Sequence, residues 1–148
     1  MATGTDLKNI ALKRLESAEH LIKAGDWEGA AYMMGFSLEC ALKSAICKTL
    51  HLQAYPEYTK NKEVASFFMT HKFDCLYVVS GLTDIFNVNA GGDAYWNWSE
   101  FTKNYTGNWV ETRYQLSNWD GQKVSGLFKY LSDTNHGIIT EIESNKRW

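Results

Sequence analysis

The side chains of this sequence whose types could do chemistry are four histidines, three cysteines and an arginine set among aromatic rings. A histidine carries protons near neutral pH, and it binds metal when Cys or His partners stand at ligand spacing. His20, His51, His71 and His136 are far apart and none has such a partner, so neither a metal site nor a cofactor is expected. Cys40, Cys47 and Cys75 are an odd number without a short paired spacing, which argues for buried free thiols in a reducing compartment rather than a disulfide framework. Cys40 and Cys47, seven apart on one expected helix, stand two turns from each other, too far for one metal ion to bridge easily. No serine occupies a G-x-S-x-G turn. Gly91-Gly92 lacks the lysine that follows a phosphate-binding loop, which excludes nucleotide binding by that route.

Arg113 stands close to Trp109, Tyr114 and Trp119. A guanidinium among rings combines a fork for phosphate with faces on which bases stack, although an arginine laid on tryptophan at the rim of a core has the same composition. Glu39 and Lys43 are four apart in the favourable order, so they are either a helix salt bridge or two walls of a cleft. His71 precedes an expected helix, which it either caps or uses to face a site. Arg14 and His20 lie within one helix and well round it from each other, and their spacing reads as coincidence. His136 reads as a surface or interface histidine.

The elements that must position these groups are helices. Over 6–23, Leu7, Ile10, Ala11, Leu15, Ala18, Leu21 and Ile22 follow a 3.6-residue period, with Thr5 as the expected N-cap and Gly25 as the stop. Asp26 then caps a helix over 27–50 with Glu28 in its first turn. That helix is apolar over most of its circumference, which places it at the centre of the fold, and its Gly29 and Gly35 suit a neighbour that approaches closely. Pro56 marks a loop over 55–61, followed by a short helix over 64–69 and a longer one over 72–86 weakened at Gly81. The segment 87–121 mixes Asn, Gly, Asp, Ser and Thr with many aromatic rings, so broken short helices are expected there. A last helix spans 122–145 around a softer region at 135–137. Strand alternation and internal repeats are absent from the pattern, which predicts one all-α domain over 1–148, an antiparallel bundle of about five helices.

Composition agrees. The chain has 148 residues, 45% hydrophobic and 22% charged, with a formal charge of −2, the values of a soluble globular domain without the basic field of many nucleic-acid binders. Apolar runs break within about ten residues, short of the roughly 20 that a membrane span needs. Residues 1–8 lack the pattern of a secretory leader, so the cytoplasm is the expected compartment.

The run Gly25-Asp26-Trp27-Glu28-Gly29-Ala30-Ala31-Tyr32, continuing through Phe36-Ser37-Leu38-Glu39-Cys40-Ala41-Leu42-Lys43-Ser44-Ala45, resembles the hallmark of HEPN domains, an alanine-rich second helix with E-x-A-L-K-A. His71-Lys72-Phe73-Asp74-Cys75-Leu76 is similar to the H-x-L/F-x-x-L start of that family's third helix, and Glu111-Thr112-Arg113-Tyr114 to the R-Y element before its final helix. The resemblance implies a helical bundle that dimerises, often as a ribonuclease or toxin whose R-x4-6-H site is completed across the dimer. Arg113 fits the arginine, but the histidine positions hold Asn118, Trp119 and Asp120. Asn118 can hydrogen-bond a phosphate or sugar and cannot exchange a proton there.

The expectation is therefore a nucleotide- or RNA-binding homodimer of a bacterial toxin–antitoxin, defence or stress module, with catalysis weakened or absent. Its expected site residues are Arg113, Tyr114, Asn118, Glu39, Lys43 and His71. The resemblance also implies a minimal nucleotidyltransferase as protein partner. One alternative is a metal-independent ribonuclease in which His71 or His136 replaces the missing histidine. Another is an interaction module whose Trp96, Trp98 and Trp109 form the dimer interface. The dimer itself is expected because the second helix and the aromatic segment carry more apolar surface than a small bundle easily buries.

Overall fold

A computed structural model describes residues 1–86, 92–105 and 108–148. Among them there is no strand, and the chain is all-α. The helices are α1 (Gly4–Lys23), α2 (Trp27–Thr49), α3 (Lys62–Phe68), α4 (Phe73–Ser80), α5 (Thr83–Phe86), α6 (Asp93–Thr102), α7 (Gly121–Ser132) and α8 (Ile138–Ser144). Two 3₁₀ turns, Trp109–Tyr114 and Leu116–Asn118, lie between α6 and α7. The eight among the described residues exceed the five expected because two of the predicted long helices are each divided and α6 forms within the segment where broken short helices were expected.

Glycine and a polar turn make the divisions. Gly81 adopts the left-handed conformation at φ 73°, which ends α4 and turns the chain into α5. Arg147 locks this corner by donating to the Gly81 carbonyl at 3.1 Å and pairing with Asp84 at 3.0 Å. The last predicted helix breaks over 133–137, where Asp133 accepts from the backbone N–H of Asn135 and His136. Those bonds hold the Asp133 carboxyl below its usual range. α1 starts at Gly4, two residues before the expected start at residue 6. Thr3 is the cap, its hydroxyl accepting from the Asp6 N–H at 3.1 Å while Asp6 accepts from the Thr3 N–H at 2.9 Å. The reciprocal pair satisfies two terminal groups, which Thr5 would leave open.

α1 and α2 form the expected hairpin, and α2 runs through the middle of the molecule against α1, α4, α7, α8 and the first 3₁₀ turn. Ala30, Ala31, Met34, Leu38, Ala41, Leu42, Ala45 and Ile46 are inaccessible. Small side chains let α1 approach closely enough for Ser37, buried on α2, to donate to the Ala11 carbonyl at 2.7 Å. Trp98, Phe101, Tyr105, Trp109 and Trp119 are also buried within the one chain. The fold thus covers within the one chain much of the surface from which a dimer was expected, while Tyr95, Trp96 and Tyr114 of the aromatic segment stay exposed. Trp98 and Trp109 cannot form an interface between copies, and of the three tryptophans expected there only Trp96 is exposed. No helix among the described residues is long and apolar enough to cross a membrane.

Candidate functional site

One stripe of α2 organises the site. Tyr32, Phe36, Glu39 and Lys43 follow one another at helical spacing on a single face, with Gly35 beside them. The first 3₁₀ turn crosses this stripe and sets Trp109 on it. The indole lies 5.1 Å from the Tyr32 ring and 5.9 Å from Phe36, centroid to centroid. A Cβ at position 35 would stand 2.7 Å from Trp109 Cε3, so the absence of a side chain at Gly35 admits the ring. The interior glycine predicted to allow a close neighbour is this one.

On one side of Trp109 stand three of the expected residues. His71 meets the indole edge-on at 6.2 Å. Its Nδ1 lies 2.6 Å from Oε1 of the buried Glu39, and because a carboxylate only accepts, the Nδ1–H is the donor. Nε2, the other ring nitrogen, belongs to a side chain that is half exposed. Lys43 Nζ, 3.6 Å from the same Glu39 oxygen, lies 5.0 Å over the Tyr55 ring. His71 does not cap α4, whose N-cap is Lys72 with no side-chain bond. A ring fixed by a buried carboxylate cannot also reach back to the helix end.

On the other side, Arg113 sits 5.9 Å over Tyr32 and 5.0 Å over Tyr114. Tyr114 is 75% exposed and Arg113 is exposed, so both side chains are accessible to a ligand. The fold therefore brings Glu39, Lys43 and His71 together, and a chain of ring contacts through Trp109 and Tyr32 connects them to Arg113 and Tyr114. Tyr32 was missed in the sequence, where its place seven residues before Glu39 already put it on the same helix face.

The remaining candidates lie elsewhere. Asn118 is exposed, and its carbonyl accepts from Lys123 Nζ at 3.1 Å. Trp119 is buried 5.4 Å from the Tyr105 ring, and Asp120 caps α7 by accepting from the Lys123 N–H at 2.8 Å. Two of the three positions where a histidine would fall are thus used to build the fold. Arg14 and His20 are both on α1, where His20 is exposed and Arg14 half-buried. Burial pushes the Cys40 thiol up to about 12, and raises that of Cys47 as well, so both stay protonated and unreactive near neutral pH.

His136 does not fold back on Arg113. Its Nδ1 is 3.0 Å from Glu141 of α8 and its Nε2 3.6 Å from Asp93 of α6. The Glu141 hydrogen bond, aided by the charges of Asp93, Glu141 and Asp133, raises the imidazole above its ordinary value. A group with a raised folded value adds stability that is complete below about 6.5 and is lost as pH climbs through the folded value. Melting temperature should therefore fall more between about pH 6 and 8 in the wild-type protein than in His136→Gln. Parallel pH profiles would contradict this reading.

Among the described residues no group of three His, Cys, Asp or Glu side chains could hold a metal ion. A family model described as HEPN domain matches residues 5–130. No curated protein and no solved structure matches the chain.

Proposed function

The chain belongs to the HEPN domain family, and from that premise we propose that it binds RNA or a nucleotide at the surface centred on Arg113, without efficient catalysis. The observation that carries this reading is the exposed guanidinium held between Tyr32 and Tyr114. Its paired N–H groups suit a phosphate, and the open Tyr114 ring suits a base stacked beside it. The lack of catalysis follows from Asn118, Trp119 and Asp120 at the positions where the family's ribonucleases place histidine. An amide, an indole and a capping carboxylate do not supply the proton exchange near neutral pH that RNA cleavage needs.

The setting we propose is a bacterial toxin–antitoxin, defence or stress module in the cytoplasm. The partners proposed are a second copy and a minimal nucleotidyltransferase. Tyr114, Leu116 and Trp96 are among the large exposed side chains available to them.

The experiment is titration of end-labelled single-stranded RNA with wild-type protein and Arg113→Ala, with and without chelator, scored for binding and cleavage. Wild type should bind and leave the RNA intact. Arg113→Ala should bind about tenfold more weakly, the loss of one stacked, phosphate-holding cation. Absence of binding by wild type would overturn the reading in favour of a protein-interaction role.

A second reading rests on His71 and Glu39. A half-exposed imidazole whose Nδ1–H is held by a buried carboxylate presents Nε2 in the arrangement of a general base. If it acts so on RNA, chelator-resistant cleavage would be seen, and His71→Ala would abolish it while leaving binding largely intact.

A further inference from the structure

α8 rests on α2, α6 and α7, and toward α1 it leaves a groove of about 320 Å³. Helical spacing builds the walls. Leu12 and Leu15 stand at i and i+3 on α1, and Ile139 and Glu143 at i and i+4 on α8, with Thr140 and Ser144 in the next row. Ile139 is buried, whereas Leu12 is 42% exposed and Leu15 is half-buried, so the fold leaves apolar surface of both leucines open to the groove. Trp148 is a further wall. Its indole N–H donates to Glu143 Oε2, and Lys8 Nζ pairs with the same oxygen at 3.0 Å while lying 5.1 Å over the indole ring. The volume stands at the small end of the range for ligand sites, room for one or two rings and not for a polymer.

The polar groups narrow the occupant. Ser132 spends its hydroxyl proton on the Phe128 carbonyl at 2.7 Å and Thr140 on the Asp133 carbonyl at 2.6 Å, so both have only lone pairs left to offer. Both donors that reach Glu143 fall on Oε2, and among the described residues Oε1 has no hydrogen-bond or ion-pair partner. A carboxylate oxygen only accepts, so the ligand must donate. Lys8 already balances the charge of Glu143, which leaves little attraction for a second cation, and an anion would be repelled by the carboxylate. The group that fits is a neutral N–H or O–H on an apolar body. Trp148 makes this pairing within the chain, an aromatic N–H donated to the same carboxylate.

We propose that the groove between α1 and α8 is a binding site for a small uncharged aromatic molecule with one N–H or O–H donor, the chemistry of indole or a phenol. The ring lies against Leu12, Leu15 and Ile139, and the donor bonds to Glu143 Oε1. The groove shares no residue with the Arg113 surface, and the proposal stands whether or not that surface binds RNA.

The test is titration of the protein, labelled in its leucine and isoleucine methyl groups, with indole, 1-methylindole and tryptamine, followed by NMR. Indole should shift the Leu12 and Ile139 signals saturably. 1-Methylindole, which lacks the donor, should bind about tenfold more weakly, and tryptamine, which adds an ammonium, should bind no more tightly than indole. Leu12→Asp, at an exposed position, should abolish binding by placing a charge on the apolar wall. Ser144→Trp, also at an exposed position, fills the groove and should weaken binding at least about tenfold, and it serves if the aspartate disturbs folding. Glu143→Ala should erase the preference for indole over 1-methylindole. Absence of a saturable shift with indole, equal binding of 1-methylindole, tighter binding of tryptamine, or binding that neither Leu12→Asp nor Ser144→Trp reduces would each overturn the proposal. Absence of indole binding together with a change of oligomeric state in Leu12→Asp would assign the groove to a protein contact instead.

Discussion

Gly35→Ala should destabilise the protein by about 2 kcal/mol, although alanine is the better helix former by about 1 kcal/mol. The added methyl would stand 2.7 Å from Cε3 and 2.9 Å from Cδ2 of Trp109, closer than carbon atoms pack. The indole has little room to yield. Tyr32 and Phe36 on the same helix and His71 at its edge surround it, and it is 2% exposed. Relief must come from moving the 3₁₀ turn that carries Trp109 and, four residues on, Arg113. Two readouts should therefore move together: the urea midpoint falls at unchanged slope, and RNA binding weakens although no residue of the binding surface has been altered. A midpoint at or above that of the wild-type protein would show that the turn shifts freely, and would remove Trp109 as the link between the two halves of the site.

Glu39→Ala should cost about 2–3 kcal/mol. Removing one partner of a buried ion pair costs roughly 3–5 kcal/mol because the other charge is left without compensation. Here the value is lower, since the Lys43 side chain keeps 18% of its surface in water and still lies over the Tyr55 ring. The substitution also leaves the His71 Nδ1–H without its acceptor and opens a small space under a side chain that is half exposed. Glu39→Gln should cost less than alanine, because the amide oxygen can still accept from His71. Equal stability of Glu39→Ala and wild type in chemical unfolding would mean that the pair is only a solvated helix contact of a few tenths of a kcal/mol. That was the plainer of the two roles weighed for Glu39 and Lys43 from their spacing.

Much of the α-helical framework was legible in the residue pattern. The hairpin of α1 and α2 follows from apolar periodicity, the stop at Gly25 and the cap at Asp26, all local to a few residues. The central position of α2 follows from its apolar circumference. The divided helices were signalled at Gly81 and at 135–137, yet periodicity ran through both and favoured continuous helices. Side-chain spacing reports which face is apolar, and it is silent on whether the backbone bends between two apolar faces. At Gly81 the left-handed conformation decides, and at 133–137 the bonds to Asp133 decide. The expected turn at Gly91-Gly92 and the first part of the 87–121 segment lie partly outside the described residues. Much of the apolar surface counted toward a dimer is buried within the one chain, and a linear pattern does not say how much of one chain covers another part of itself.

The site divides in the same way. By itself the sequence determined the kinds of group present: a guanidinium near rings, a carboxylate and an ammonium one helical turn apart, and no histidine in the three positions after Arg113. These are matters of composition and short spacing, and helix geometry fixes them within one element. Only the tertiary structure decided that His71, 32 residues from Glu39, closes on it at 2.6 Å. It also decided that Trp109 bridges them to Tyr32 and Arg113, and that His136 serves a different corner. Those pairings depend on where a 3₁₀ turn and the start of α4 come to rest on α2, which is set by packing at Gly35 and by burial of the aromatic rings. Such long-range contacts are chosen by the collective fit of the core, and no local pattern encodes them.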